Sequence, residues 1–113
     1  MSLNVLVDGE ITILSNFGRL MNDPRYVDAG REVGDLLDQG HRKFILELVG
    51  VRETGSALVG LLMTITRRIR QGGGEAVLAR PSPAVSKFIE SMQMDTYWDV
   101  FETMEDAKGF FRR

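Results

Sequence analysis

One stretch constrains the fold more than any other: Lys43 to Gly74, which reads KFILELVGV, then RETGS, then ALVGLLMTITRRIRQGGG. Phe44, Ile45, Leu46, Leu48, Val49 and Val51 form an apolar run broken only by Glu47 and Gly50. Such a run suits a central strand covered on both faces. Leu58, Leu61, Leu62, Ile65 and Ile69 then recur at helical spacing as one stripe. Met63 and Val59 fall on other faces and are expected to be more exposed than Leu62. Ser56 stands where an N-cap belongs, its hydroxyl placed to accept from a free N–H of the first turn. Gly72, Gly73 and Gly74 end the helix, because glycine takes left-handed conformations without strain. A buried strand, a tight loop and a long amphipathic helix are thus expected in sequence.

The flanking segments extend the alternation. Residues 3–8 read as a half-exposed strand, Asp8-Gly9 as a hairpin turn, and residues 10–15 as a second strand, with Asn16 to Leu20 a candidate extension. Asp23 as cap and Pro24 at the first helical position predict a helix over 24–39, with Val27, Gly30, Val33, Leu36 and Leu37 on one face and Gly40 as its stop. Strand 44–49, helix 57–71 and strand 75–80 follow. Ser82-Pro83 predicts a helix over 83–93, burying Val85, Phe88, Ile89 and Met92 and broken at Asp95 and Thr96. Tyr97 to Glu102 is a last short strand. Thr103 to Asp106 resembles a capping box for a helix over 104–111, with Phe110 or Phe111 packing inward.

The order β-β-α-β-α-β-α-β-α implies an α/β fold: a small, mixed, mostly parallel sheet covered by helices. A length of 113 residues suits a single domain, 1–113. No apolar run approaches the ~20 residues that span a bilayer, so no direct membrane insertion is expected. The start, MSLNVLVDGE, is read as carrying no signal peptide, for it lacks a basic region and meets Asp8 early. Net charge is −2, which gives no sequence-wide field for nucleic acid. The absence of cysteine excludes thiolate chemistry and fits a cytoplasmic setting.

No catalytic set emerges. Gly72-Gly73-Gly74 precedes Glu75 and follows a helix, whereas a phosphate-binding loop must follow a strand and open a helix. His41 is the only histidine, expected in a solvated loop, with no second histidine to build a relay or metal site. Glu32, Asp35 and Asp38 read as a wet helix face, and Arg67, Arg68 and Arg70 as complements to a helix C-terminus. The chain is therefore read as a non-enzyme with no metal and no cofactor. Thr54-Gly55-Ser56 remains, where a hydroxyl is most often simply a cap.

Several local patterns then fall into a familiar order. They are ITIL before Gly18-Arg19-Leu20, FILELVGV, Gly60-Leu61-Leu62, Gly73-Gly74-Glu75, Ser82-Pro83-Ala84-Val85 and the tail MDTYWDVFETMEDA. Over roughly residues 5 to 112 the chain resembles the STAS domain of bacterial anti-sigma factor antagonists. In that family the loop after the third strand carries Asp-Ser-Ser-Gly or Asp-Ser-Thr-Gly. Its first hydroxyl residue is phosphorylated by a kinase that is also the anti-sigma factor. An ungapped match puts Ser56 on that position, with Thr54 a second candidate acceptor. Gly55 replaces the motif's acid, Leu58 its glycine, and Met21 a second family acid, with Asn22 and Asp23 next door.

The resemblance implies a cytoplasmic protein-interaction switch that binds an anti-sigma factor of serine-kinase type, or another regulatory protein. Asn22, Asp23, Glu53, Gly55, Ala57, Val59 and Met63 are its candidate partner contacts. The alternative is a non-phosphorylated STAS scaffold in a stressosome-like or transporter-associated complex, which the missing acids favour. A homodimer is a candidate assembly.

Overall fold

The computed structural model describes residues 3–23, 28–52 and 54–112. A hairpin opens the fold: β1 (Asn4–Asp8) and β2 (Ile11–Ser15) pair antiparallel, with Asp8 opposite Ile11. Gly9, at φ 62, supplies the positive φ that the two-residue turn requires. Beyond it come α1 (Phe17–Leu20), α2 (Ala29–Asp38), β3 (Lys43–Glu47), α3 (Ser56–Gln71), β4 (Glu75–Ala79), α4 (Pro83–Ser91), β5 (Val100–Phe101) and α5 (Met104–Phe111). The five strands lie in the order β1-β2-β3-β4-β5, and every pair after the first is parallel. The expected α/β fold and its central strand are what the structure shows, with β3 third of five.

The sheet's two faces build two cores, as the alternation of side chains along a strand demands. Leu14, Phe44, Leu46, Ala76 and Leu78 face α2, α3 and α4, and join Val33, Leu62, Ile65, Ile69, Val85 and Ile89. Ile11, Ile13, Ile45, Val77 and Ala79 face the other way and meet Ala107 of α5, with Phe101, Met104, Phe110 and Phe111 packed around them. Helix α2 packs on α3 through its small residues: a Cβ on Gly30 would lie 3.8 Å from Thr64 Cγ2, and one on Gly34 would overlap the Arg68 guanidinium. Trp98, 3% exposed, donates Nε1–H to Thr66 Oγ1 at 2.7 Å, tying the segment before β5 to α3.

Several expectations need correction. Residues 16–20 do not extend β2. Asn16 takes φ 80 and a helical turn follows, with Phe17 and Leu20 fully buried. A strand would have sent those two side chains to opposite faces. Helix α2 is described from Ala29 onward, so Pro24 and Val27 lie outside the described residues. Val49 is 46% exposed, because β3 ends at Glu47 and the chain turns through Gly50. Met92 is 43% exposed, since α4 ends at Ser91 and Gln93 turns the chain at φ 58, ahead of Asp95. His41 is half-buried, not solvated, and its Nδ1 shares a hydrogen bond of 2.7 Å with the Oγ1 of buried Thr12. Arg70 does more than complement a helix end. Its Nε donates to Glu75 Oε1 at 2.7 Å, its Nη2 donates to the Tyr97 carbonyl at 2.9 Å, and its guanidinium lies 4.8 Å from the Tyr97 ring centre.

Candidate functional site around Ser56

The sheet gathers the candidate residues at one end. Strands β2 and β3 run parallel, so the loops at their C-terminal ends emerge side by side. Leu48 and Val51, both buried, anchor the loop after β3, with the Val51 N–H donating to the Leu48 carbonyl at 3.1 Å. Phe17 and Leu20 anchor the turn after β2 in the same core. The two loops touch through backbone: a Cβ on Gly18 would lie 3.1 Å from the Gly50 carbonyl oxygen. Glycine at 18 therefore permits the approach that brings the Met21–Asp23 segment beside the loop leading to Ser56.

Ser56 is not the cap. Gly55 holds that place, in extended backbone at φ 175 and ψ 166, and its carbonyl accepts the Val59 N–H at 3.3 Å. Among the described residues, no side-chain cap bond is made at the start of α3. Ser56 is its first residue and is exposed, as are Thr54, Ala57 and Gly60. The orphan N–H groups and the positive end of the helix dipole lie at this exposed hydroxyl. A phosphoryl group on Ser56 would meet that positive end.

The other candidate contacts divide. Asn22 is exposed, and its Nδ2 donates to the Gly18 carbonyl at 3.3 Å, while Asp23 and Met63 are half-buried. Val59 is only 2% exposed, so it cannot offer a surface as the fold stands. It belongs with Val85, Ile89 and Trp98 to the helical-side core. Glu53 lies outside the described residues. Two positions join the surface unforeseen: Val49 on the loop, and Gly60, one helical turn beyond Ser56 on the same face. The i, i+4 spacing was the available signal for Gly60.

Among the described residues, no group of histidine, aspartate or glutamate is placed to hold a metal ion. A cleft of about 330 Å³ lies away from Ser56, between α4 and β5. It is lined by Glu90, Asp95 and Asp99 around Ile89, Trp98 and Ser86, and it pairs no nucleophile with a base. No helix among the described residues is long and apolar enough to cross a membrane.

Comparison with known proteins agrees with this geometry. Among curated proteins, no sequence matches the chain. Among solved structures, a protein from Thermotoga maritima assigned as an anti-sigma factor antagonist superposes with a TM-score of 0.77 at 20% identity, covering 98% of this chain and 95% of that one. An anti-sigma-factor antagonist (STAS) domain protein from Planctomyces limnophilus gives 0.77 at 20% identity, with 95% of each chain covered. The Bacillus cell fate determinant SpoIIAA in its phosphorylated form gives 0.66 at 19%, covering 96% and 98%. At these identities the likeness is one of fold. The STAS domain model matches residues 7–107 of the sequence itself. The chain belongs to the STAS domain family.

Proposed function

We propose that this domain is a regulatory interaction module of the anti-sigma factor antagonist kind. It docks the β3–α3 loop and the start of α3 onto an anti-sigma factor of serine-kinase type in the bacterial cytoplasm, and Ser56 accepts the regulatory phosphate. The observation that carries the reading is the state of Ser56: exposed, first in its helix, with Gly55 serving as cap. Its hydroxyl is not consumed by the helix. Asn22, Asp23, Gly55, Ala57 and Met63 form the surrounding docking surface, together with Val49 and Gly60. SpoIIAA, which shares the fold, exists in phosphorylated and unphosphorylated forms. A phosphoryl group adds about −1.5 to −2 charge. The N-terminus of α3 tolerates that charge within the domain, whereas a partner surface that must desolvate it does not.

One observation favours a second reading. Gly55 and Met21 stand where the family carries acids, and Met21 packs partly against the core. A domain without those acids suits a scaffold that uses the same surface without phosphate chemistry, in a stressosome-like or transporter-associated complex.

Two substitutions and one assay separate these readings. Ser56→Ala removes the acceptor but no cap, so its stability is expected within about 0.5 kcal/mol of wild type, with partner binding intact. Ser56→Asp is expected to fold normally and bind an anti-sigma partner more weakly, because it carries part of the phosphate's charge. Incubation with serine kinases of the anti-sigma type, followed by mass spectrometry, should place phosphate on Ser56 or Thr54. Unmodified protein in that assay, with Ser56→Asp titrating as tightly as wild type, would establish the scaffold instead.

A further inference from the structure

Strand β1 is the open edge of the sheet, and it lacks the usual protections of an edge. It is five residues long, with sequence NVLVD, and contains no proline and no lysine. It also exposes apolar side chains on both faces: Val5 is 44%, Leu6 64% and Val7 52% exposed. Val5 and Val7 lie opposite Leu14 and Thr12 and so lean to the helical side, whereas Leu6 lies opposite Ile13 on the α5 side.

The main-chain pattern narrows what can pair there. In a hairpin closed by a two-residue turn, Asp8 and Ile11 aim their main-chain groups at one another. Alternation then points Leu6 and Asn4 at β2, and Val5 and Val7 outward. At one end the free edge stops at Leu3, whose N–H is already held by Glu32 Oε1 at 3.2 Å. At the other it stops at the Gly9 turn. The available donors and acceptors between those limits belong to Val5 and Val7.

We propose that a second copy of this chain pairs along β1, antiparallel, with the two-fold axis at Leu6. That register sets Val5 opposite the partner's Val7, so each such pair exchanges both of its N–H···O=C bonds. The outward main-chain groups of Val5 and Val7 satisfy one another. Leu6 meets its own copy on the α5 side, and the valines form a row on the helical side. Asn4 falls opposite Asp8. The Asp8 carboxylate is already held by Lys108 Nζ at 2.9 Å and Arg112 Nη2 at 3.2 Å, so the seam carries no unmatched charge. The pairing joins two five-stranded sheets into one continuous sheet. The loop bearing Ser56 follows β3, two strands away from the seam, so the dimer stands or falls independently of the switch.

Sedimentation equilibrium over protein concentrations up to about 1 mM, the weak end of specific association, should show wild type rising to twice the chain mass. Leu6→Lys and Leu6→Glu each place like charges on the axis and should stay monomeric. Mixed in equal amounts, they should recover the dimer. Leu6 is the most exposed of the strand's apolar residues, and matching circular dichroism spectra would verify that both variants fold. A measurement on wild type needs no variant: Val5 and Val7 amides should exchange hydrogen more slowly as concentration rises, while Leu6 stays unchanged. A monomer throughout the range, a Leu6→Lys variant that still dimerises, a mixture that stays monomeric, or Val5 and Val7 exchange independent of concentration would each overturn the proposal.

Discussion

Thr66→Val tests how α3 holds the segment before β5. Thr66 is fully buried, and its Oγ1 accepts from Trp98 Nε1 at 2.7 Å. Valine keeps the shape and has nearly the same helix propensity, but it removes the acceptor. The buried indole N–H then has no partner, a loss of about 1–3 kcal/mol. In a chain of this length that lowers Tm by about 4 °C for each kcal/mol. Thr66→Ser keeps the acceptor and loses one methyl, about 0.8 kcal/mol. Trp98 is the only tryptophan, so its fluorescence in a urea titration reports this contact and the global transition together. A Trp98→Phe background, followed by circular dichroism, supplies the decisive control. With no indole N–H to strand, Thr66→Val should cost about 1 kcal/mol less there than in wild type. If Thr66→Val matches wild type in stability, or costs as much in the Trp98→Phe background, the bond is not what holds this corner.

Glycine positions supply a contrasting pair. A Cβ on Gly74 would sit 2.5 Å from the Arg42 carbonyl oxygen, so Gly74→Ala forces backbone apart and should cost more than about 3 kcal/mol by denaturant titration. A Cβ on Gly34 meets only the end of the flexible Arg68 side chain, and alanine is the better helix former by about 1 kcal/mol, so Gly34→Ala should be neutral or stabilising in the same assay. Asp8 gives a pH dependence. The hydrogen bond and charge of Lys108, with Arg112 behind them, hold its carboxyl below the usual carboxylate range. A lowered folded pKa stabilises above the unfolded value, and the gain is lost as pH falls through the folded one. Asp8→Asn should therefore melt below wild type at neutral pH, and the two melting curves should converge in acid below the carboxylate range.

The sheet was legible because period-two and period-3.6 patterns follow directly from backbone geometry. Phe44 to Leu48, Leu58 to Ile69 and the Ser82 and Thr103 caps all behave as local chemistry demands. Ser82 Oγ accepts from the Val85 N–H at 3.2 Å and Thr103 Oγ1 from the Asp106 N–H at 3.1 Å. What escaped was set by distant packing. Val59 is off the main stripe of α3 and would be exposed on a helix packed on one side only; it is buried in the same cluster as Trp98 and the α4 residues Val85 and Ile89, which lie far along the chain. Ser56 looked like a cap because its residue type suits one, but the extended backbone falls at Gly55, which moves Ser56 into the helix. Phe17 and Leu20 carried a helical three-residue spacing that was too brief to outweigh the strand before it. At the candidate site, residue type and a family resemblance singled out Ser56. Its exposure and the Gly18–Gly50 approach depend on tertiary structure.

Helix α5 has a consequence for synthesis of the protein. Among the described residues it is the one helix packed on the face of the sheet built from Ile11, Ile13, Ile45, Val77 and Ala79, and it clasps the opening hairpin through Asp8. It is also the last element of the fold to leave the ribosome. Until α5 has emerged, the strands before it can pair and α2, α3 and α4 can settle on their side, yet an isoleucine-rich face stays bare beside the exposed Leu6 of β1. This nascent intermediate is the species most open to aggregation and to capture by chaperones. Ribosome-bound chains halted just before Met104 emerges should bind hydrophobic dyes and chaperones, and chains extended past Phe111 should not.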